Sequence, residues 1–326
     1  MKSALWILAA ALPLAAQPKL LVNAKIDTRP ASGSLERVFR EAASAQPQPA
    51  WIGYTVPAVH GYGGGCEYVR DDFHTAGVVH LEPPADTVIL FRVEENAVTR
   101  IRSLSPDCEI DAGGVPVHWL TEVEPAQSVA LLATYVSARD RLGDSMVSAI
   151  AAHASPAADE VLDRFLAANQ PLSLRQRAVS AMSRRGAHGF ENLKKVLASD
   201  PDERIRERAV SAVASSNEPG AADLLLATAR NATDSRVRAQ ATGALARKPT
   251  PQTPGILAGI AESDLDRDVR HRAISALRSL PDDQGVPELI RIAKSARDPE
   301  IRKQSMSSLA QSRDPRALAL FEEILK

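Results

Sequence analysis

The sequence predicts two parts built on different rules: a small β-rich (α+β) domain, then an all-α right-handed superhelix of stacked helical hairpins. Three observations predict this. A nine-residue pattern recurs at a near-constant period through the second half of the chain. Between residues 18 and 120 the apolar segments are instead short, rich in β-branched residues and bounded by Gly, Pro and Asp. The chain has 326 residues, of which 44% are hydrophobic, 24% charged and only 4% aromatic. That makes it globular, long enough for about two domains, and suited to helices packed through alanine.

The recurring segments are LRQRAVSAM from Leu174, IRERAVSAV from Ile205, VRAQATGAL from Val237, VRHRAISAL from Val269 and IRKQSMSSL from Ile301. They align without gaps, their starts lying 31, 32, 32 and 32 residues apart. A weaker copy, LGDSMVSAI, begins another 32 residues upstream at Leu142. Repetition at one period marks stacked supersecondary units. Within a copy, Ile205, Ala209, Ala212 and Val213 stand at i, i+4, i+7 and i+8, one face of a helix. The alanines let a second helix come close. A turn such as SSNEPG or SLPDDQG follows, then another apolar helical run: FENLKKVL, AADLLLATA, PGILAGIA, VPELIRIA or LALFEEIL. Each unit is a helical hairpin with one apolar flank that only a stacked neighbour can cover.

Two polar positions keep the same period. Arg175, Arg206, Arg238, Arg270 and Arg302 follow the first apolar residue, and Asp202, Asp234, Asp266 and Asp298 stand four residues before the arginine. The Asp suits an N-cap, and Pro299 suits the first helical position. Each arginine can pair with an acid of its own repeat at i,i+4 or with that of the next, so the row reads as a structural ladder rather than a nucleic-acid stripe. The net charge of -1 gives no general pull towards nucleic acid either.

This pattern, Asp followed by Ile/Val-Arg-x-x-Ala-x-x-Ala-Leu, resembles the HEAT repeats of the phycocyanobilin lyase type over residues 125–326. The resemblance implies a HEAT-like solenoid and a binding scaffold, and the name of the type adds tetrapyrrole binding as an alternative. Gly143 stands where the arginine belongs in the first copy, and Pro171 where the Asp belongs in the second. Atypical terminal repeats are expected of such arrays. Six repeats are therefore expected over 142–326, preceded by a linking or capping helix within 121–141 that contains PAQSVALLATYV.

In the first part, LLVNAKI, WIGYTV, GVVHLE, TVILFRVEENAVTRIRSL and VPVHWL read as strands, the fourth as a hairpin turning at Glu95-Asn96. SLERVFREAASA places Leu35, Val38, Phe39 and Ala42 on one side of a helix. Before it, Lys2, the apolar run Ala4 to Leu12, Pro13 and the small residues Ala15 and Ala16 have the three parts of a signal peptide over residues 1–16. The run is shorter than the roughly 20 residues that span a bilayer. A secreted or periplasmic protein without an integral membrane anchor after cleavage is the expectation.

Both cysteines, Cys66 and Cys108, lie in the sheet-forming part. An even count in an exported chain reads as one disulfide, which would stabilise by roughly 4 kcal/mol. Cys66 sits in HGYGGGCEYVRDDFH, residues 60–74, where rival chemistries compete. The run GYGGGC lacks the Lys-Ser/Thr ending of a phosphate loop. His60, Cys66, His74 and His80 lack C-x-x-C and H-x-x-x-H spacing for zinc. Cys66 as a nucleophile, with His74 as base and Asp71 or Asp72 orienting it, is the enzyme alternative. His118, His153, His188 and His271 stand alone in their segments and read as structural or solvated.

The function expected is an exported, non-enzymatic protein-interaction scaffold, with no catalytic, metal or cofactor residues assigned. Its partner surface is placed on the second helices, whose polar residues vary while the first helices repeat: Lys194, Lys195, Asp223, Glu288 and Arg291. An enzyme or metal protein centred on Cys66 and His74 is the rival.

Overall fold

A computed structural model describes residues 21–59, 84–135 and 142–325. The expected signal peptide, the strand GVVHLE and the stretch holding Cys66 and His74 lie outside the described residues. The chain divides into two compact units, Met1–Ala158 and Asp159–Lys326.

The first unit contains the strands β1 (Leu21–Val22), β2 (Lys25–Pro30), β3 (Ala50–Pro57), β4 (Asp86–Glu94), β5 (Ala97–Leu104), β6 (Ile110–Asp111) and β7 (Pro116–Thr121). Five of them form one sheet in the order β2-β7-β3-β4-β5, and β1 pairs with β6. β3, β4 and β5 run antiparallel to their neighbours in that series, while β7 is parallel to both β2 and β3. The β4–β5 turn falls on Glu95 and Asn96, with left-handed φ of 51° and 62°. Two-residue hairpin loops demand that conformation.

Period-2 alternation sends Ile52, Tyr54, Ile89 and Phe91 to one face of the sheet. The helix α1 (Leu35–Ala43) packs there, started by Ser34, whose hydroxyl accepts from the Arg37 amide. Its apolar side buries Leu35, Val38, Phe39 and Ala42, and Phe39 meets Phe91 edge-on with centroids 4.8 Å apart. The opposite face carries a second cluster of Val88, Leu90, Val117 and Trp119.

Two further helices, α2 (Pro125–Ala133) and α3 (Leu142–Ala152), belong to this unit. The expectation made α3 the first of six repeats and placed the boundary near residue 142. In the structure α3 packs against β5, and the chain beyond it bonds to the end of β3. Ala154 N donates to Pro57 O, and Val59 N to Ala152 O, both at 2.8 Å. The helix keeps the apolar face of the repeats, with Met146, Val147 and Ile150 buried, and applies it to the sheet. The missing arginine at Gly143 is the trace of that change in the sequence.

A buried polar chain locks β3, α2 and the end of α3. Tyr54, Ser128 and His153 are each 0% exposed. Tyr54 Oη lies 2.8 Å from Ser128 Oγ, which lies 2.8 Å from His153 Nε2. His153 Nδ1 lies 2.7 Å from the Ala149 carbonyl. That carbonyl can only accept, so Nδ1 carries the proton; in the neutral ring Nε2 accepts from Ser128, which accepts from Tyr54. Burial pushes the Tyr54 phenol above its ordinary pKa of 10.0 and keeps it a donor.

After α4 (Pro156–Leu166), the second unit is a run of helical hairpins: α5 (Leu172–Met182) with α6 (Gly186–Ser199), α7 (Glu203–Ser215) with α8 (Ala221–Asn231), α9 (Ser235–Leu245) with α10 (Thr253–Ser263), α11 (Arg267–Arg278) with α12 (Val286–Ser295), and α13 (Pro299–Ala310) with α14 (Pro315–Ile324). Each first helix stacks on the next through its repeated alanine. Ala178, Ala209, Ala241 and Ala273 are all 0% exposed. Glycine allows tight hairpins at two turns. A Cβ on Gly189 would lie 2.1 Å from the Met182 carbonyl oxygen, and one on Gly285 2.0 Å from that of Leu277. Only hydrogen fits between those second helices and the last turn of their partners.

Candidate functional site

The periodic arginines cross from one repeat to the next. Arg175 pairs with Asp200, Arg206 with Asp234, Arg238 with Asp264 and Arg270 with Asp298. The Arg238 pair is bidentate, at 3.0 and 3.1 Å. Each guanidinium also reaches carbonyls left open at the end of a preceding second helix, a favourable place for a cation. Arg238 Nη1 donates to Ala232 O at 2.9 Å, and Arg270 Nη1 to Asp264 O at 2.9 Å. Arg302 donates to Ala296 O at 2.6 Å and, among the described residues, has no acidic partner.

The acids divide their work. Asp202 and Asp266 cap α7 and α11, accepting from the amides of Arg204 and Asp268, while Asp200 and Asp264, two residues earlier, take the arginines. Asp298 does both. Asp234 takes Arg206 and makes no side-chain cap. The Glu300 amide donating to Asp298 holds its carboxyl below the ordinary 3.8, and the Arg204 side chain does the same for Asp202.

Lowered pKa values give the sign of the acid response. A carboxylate whose pKa is depressed by folding stabilises the native state above its unfolded pKa, and the effect is lost as pH falls through the folded value. The repeat unit should therefore keep its stability from neutrality down to about pH 4 and lose it below. Urea melts followed by circular dichroism from pH 7 to pH 3 check this, and a stability that is flat or rising over the acid end contradicts it.

The varied residues of the second helices behave differently from one another. Lys194 pairs with Glu191 at 2.7 Å and lies 4.8 Å from the Phe190 ring centre. Lys195 and Asp223 are exposed and have no ion-pair partner among the described residues. Glu288 and Arg291 hold each other at 2.8 Å, and Arg291 also grips Glu262 of α10 through two bonds of 2.9 and 3.0 Å. That cluster raises the Arg291 pKa, Glu262 contributing most, and it clamps α12 to α10.

Between these helices runs a groove of about 970 Å³, lined by Arg230 of α8, Gly255, Ile256, Gly259 and Ser263 of α10, and Glu288 of α12. Its floor is open because nothing lies within 4 Å of where a Cβ of Gly255 or Gly259 would stand. Leu265, at its edge, is 96% exposed. Among the described residues no group of three His, Cys, Asp or Glu side chains is placed to hold a metal ion. Cys108 is buried, and its expected partner Cys66 lies outside the described residues.

The family model for HEAT repeats matches residues 161–246 and 253–326. The C-terminal region is an array of HEAT repeats. Such repeats suggest a protein-interaction scaffold. No curated protein matches the chain. Among solved structures, the complex of CpcE and CpcF of phycocyanin lyase from Nostoc sp. PCC7120 is similar at 21% identity and a TM-score of 0.37, covering 47% of this chain and 99% of that one. Human deoxyhypusine hydroxylase in complex with glycerol is similar at 14% identity and a TM-score of 0.33, covering 60% and 77%.

Proposed function

We propose that the protein is an exported, non-enzymatic scaffold whose HEAT array captures a protein partner in the groove across α8, α10 and α12. The observation that supports this most is a division of labour. The ladder arginines up to Arg270 are engaged with acids, and those of α7, α9, α11 and α13 also hold helix-end carbonyls, so they serve the stack, Arg238 and Asp264 doing so where they also form part of the groove wall. The groove, by contrast, is opened by two glycines that pack against nothing. Polar side chains beside it vary between repeats, as a site shaped for one irregular partner requires. Within the varied set Lys195 and Asp223 are the exposed charges with no ion-pair partner among the described residues, whereas Glu288 and Arg291 hold the helices together.

A photocrosslinking side chain at Gly259 tests the reading in the native envelope. It should trap a defined protein, identified by mass spectrometry, that the same group at Gln240 on a first helix does not trap. Equal trapping at both positions, or none at either, rejects the groove. Export and the Cys66–Cys108 bridge are part of the same proposal, supported by the tripartite N-terminus and the even cysteine count. Mature protein should then show no free thiol until reduced. Two titratable thiols would favour the reactive-cysteine alternative instead.

A further inference from the structure

The charges along the groove are not satisfied alike at its two sides. Those lining it are Arg230, Arg238, Asp264 and Glu288. Arg238 and Asp264 satisfy each other through the bidentate pair of the ladder. Glu288 accepts from Arg291, whose two other bonds go to Glu262, so both acids on the α10–α12 side already hold a guanidinium. Arg230, in the last turn of α8, is exposed and makes no ion pair among the described residues. Asp223, the acid in the first turn of α8, stands at the other end of that helix, about 10 Å away along the axis. The groove therefore has one open cation, on its α8 side.

An apolar segment laid over Gly259, the half-buried Ile256 and the exposed Leu265 takes water away from that guanidinium. Stripping water from an unpaired charge is costly, and a carboxylate on the incoming segment offsets the cost through two parallel bonds. A cation in the same place adds repulsion instead, so the groove discriminates by charge as well as by shape. Resting on the capture proposed above, we infer that the occupant is an apolar helical segment of the partner with an acidic residue at the end lying over α8, where Arg230 takes it. The open floor at Gly255 and Gly259 lets the backbone of such a helix come close. Packed helices stand about 8–10 Å apart, so the crossing from α8 to α12 is roughly 18 Å, or about twelve residues of helix.

Fluorescence anisotropy of the full chain with labelled synthetic peptides tests the assignment. The probes are helical peptides of leucine, alanine and glutamine, about twelve residues long, with a single terminal glutamate in one and lysine in its place in the other. The glutamate peptide should bind saturably and at least about tenfold more tightly than the lysine peptide. Arg230→Gln has no ion pair to break; it should abolish the preference and leave the melting temperature nearly unchanged. Leucine at Gly255 and Gly259 should remove binding of the glutamate peptide. The inference is overturned if neither peptide saturates, if both bind alike, if Arg230→Gln keeps the preference, or if the glutamate peptide still binds the double leucine variant. Crosslinking at Gly259 separates the two readings: a partner trapped there while the peptides show no preference leaves the groove standing and removes only the acid.

Discussion

Replacing Arg175 with alanine is expected to destabilise the repeat unit by about 3 to 5 kcal/mol, the range for stranding one member of a buried ion pair. Its side chain is 6% exposed and that of Asp200 is 8%, so water cannot take over the orphaned carboxylate. The Leu166 carbonyl loses its donor as well. The ladder grades this effect along the array. Arg238→Ala, with partners at 15% and 11% exposure, should cost about 1 to 3 kcal/mol. Arg302→Ala gives up two carbonyl bonds and no acid among the described residues, and should cost about 1 kcal/mol or less. Urea unfolding of the three variants checks the order, and an Arg302 variant less stable than the Arg175 variant would show that the acids do not set the energetics.

Ser128→Ala is expected to cost about 2 to 4 kcal/mol, because it leaves two fully buried groups, Tyr54 Oη and His153 Nε2, without the hydroxyl between them. Tyr54→Phe removes one donor and leaves Ser128 still bonded to His153, so it should cost only about 1 kcal/mol. The difference between the two is the informative quantity. If Ser128→Ala costs no more than Tyr54→Phe, the hydroxyl is not the link that joins β3, α2 and α3.

The period of the repeats was legible because each hairpin carries its own apolar face and turn, so local sequence states both the element and its neighbour. The ladder arginines were legible for the same reason. Their partners were half legible. Asp202 and Asp266 keep the period, yet Asp200 and Asp264 take the arginines, because a cap needs its carboxylate on the first helical amides while the guanidinium reaches into the preceding loop. Glu262 is the missing partner of Arg291 and lies 29 residues before it, close to one repeat. Reading the second helices for acids at the repeat distance would have exposed that clamp. In PGILAGIA the apolar letters concealed that Gly255 and Gly259 face outward and open a groove. The role of α3 was hidden for a different reason: the same apolar stripe serves a neighbouring repeat or a sheet. Tyr54 and His153 meet through Ser128 across sequence separations of 74 and 25 residues, with no local signal at all.

Leucine at both Gly255 and Gly259 is the sharpest challenge to the proposed capture of a protein in the groove of the HEAT array. Both positions are open, so the new side chains fill the groove without displacing the core. Replacing helical glycine also raises intrinsic helix propensity by up to about 1 kcal/mol per site. The measurement is the affinity of the double variant for the protein trapped at Gly259, read beside its melting temperature. Binding at least about tenfold weaker is expected, with a melting temperature equal to or above that of the wild type. Undiminished affinity in a variant that folds normally would contradict it.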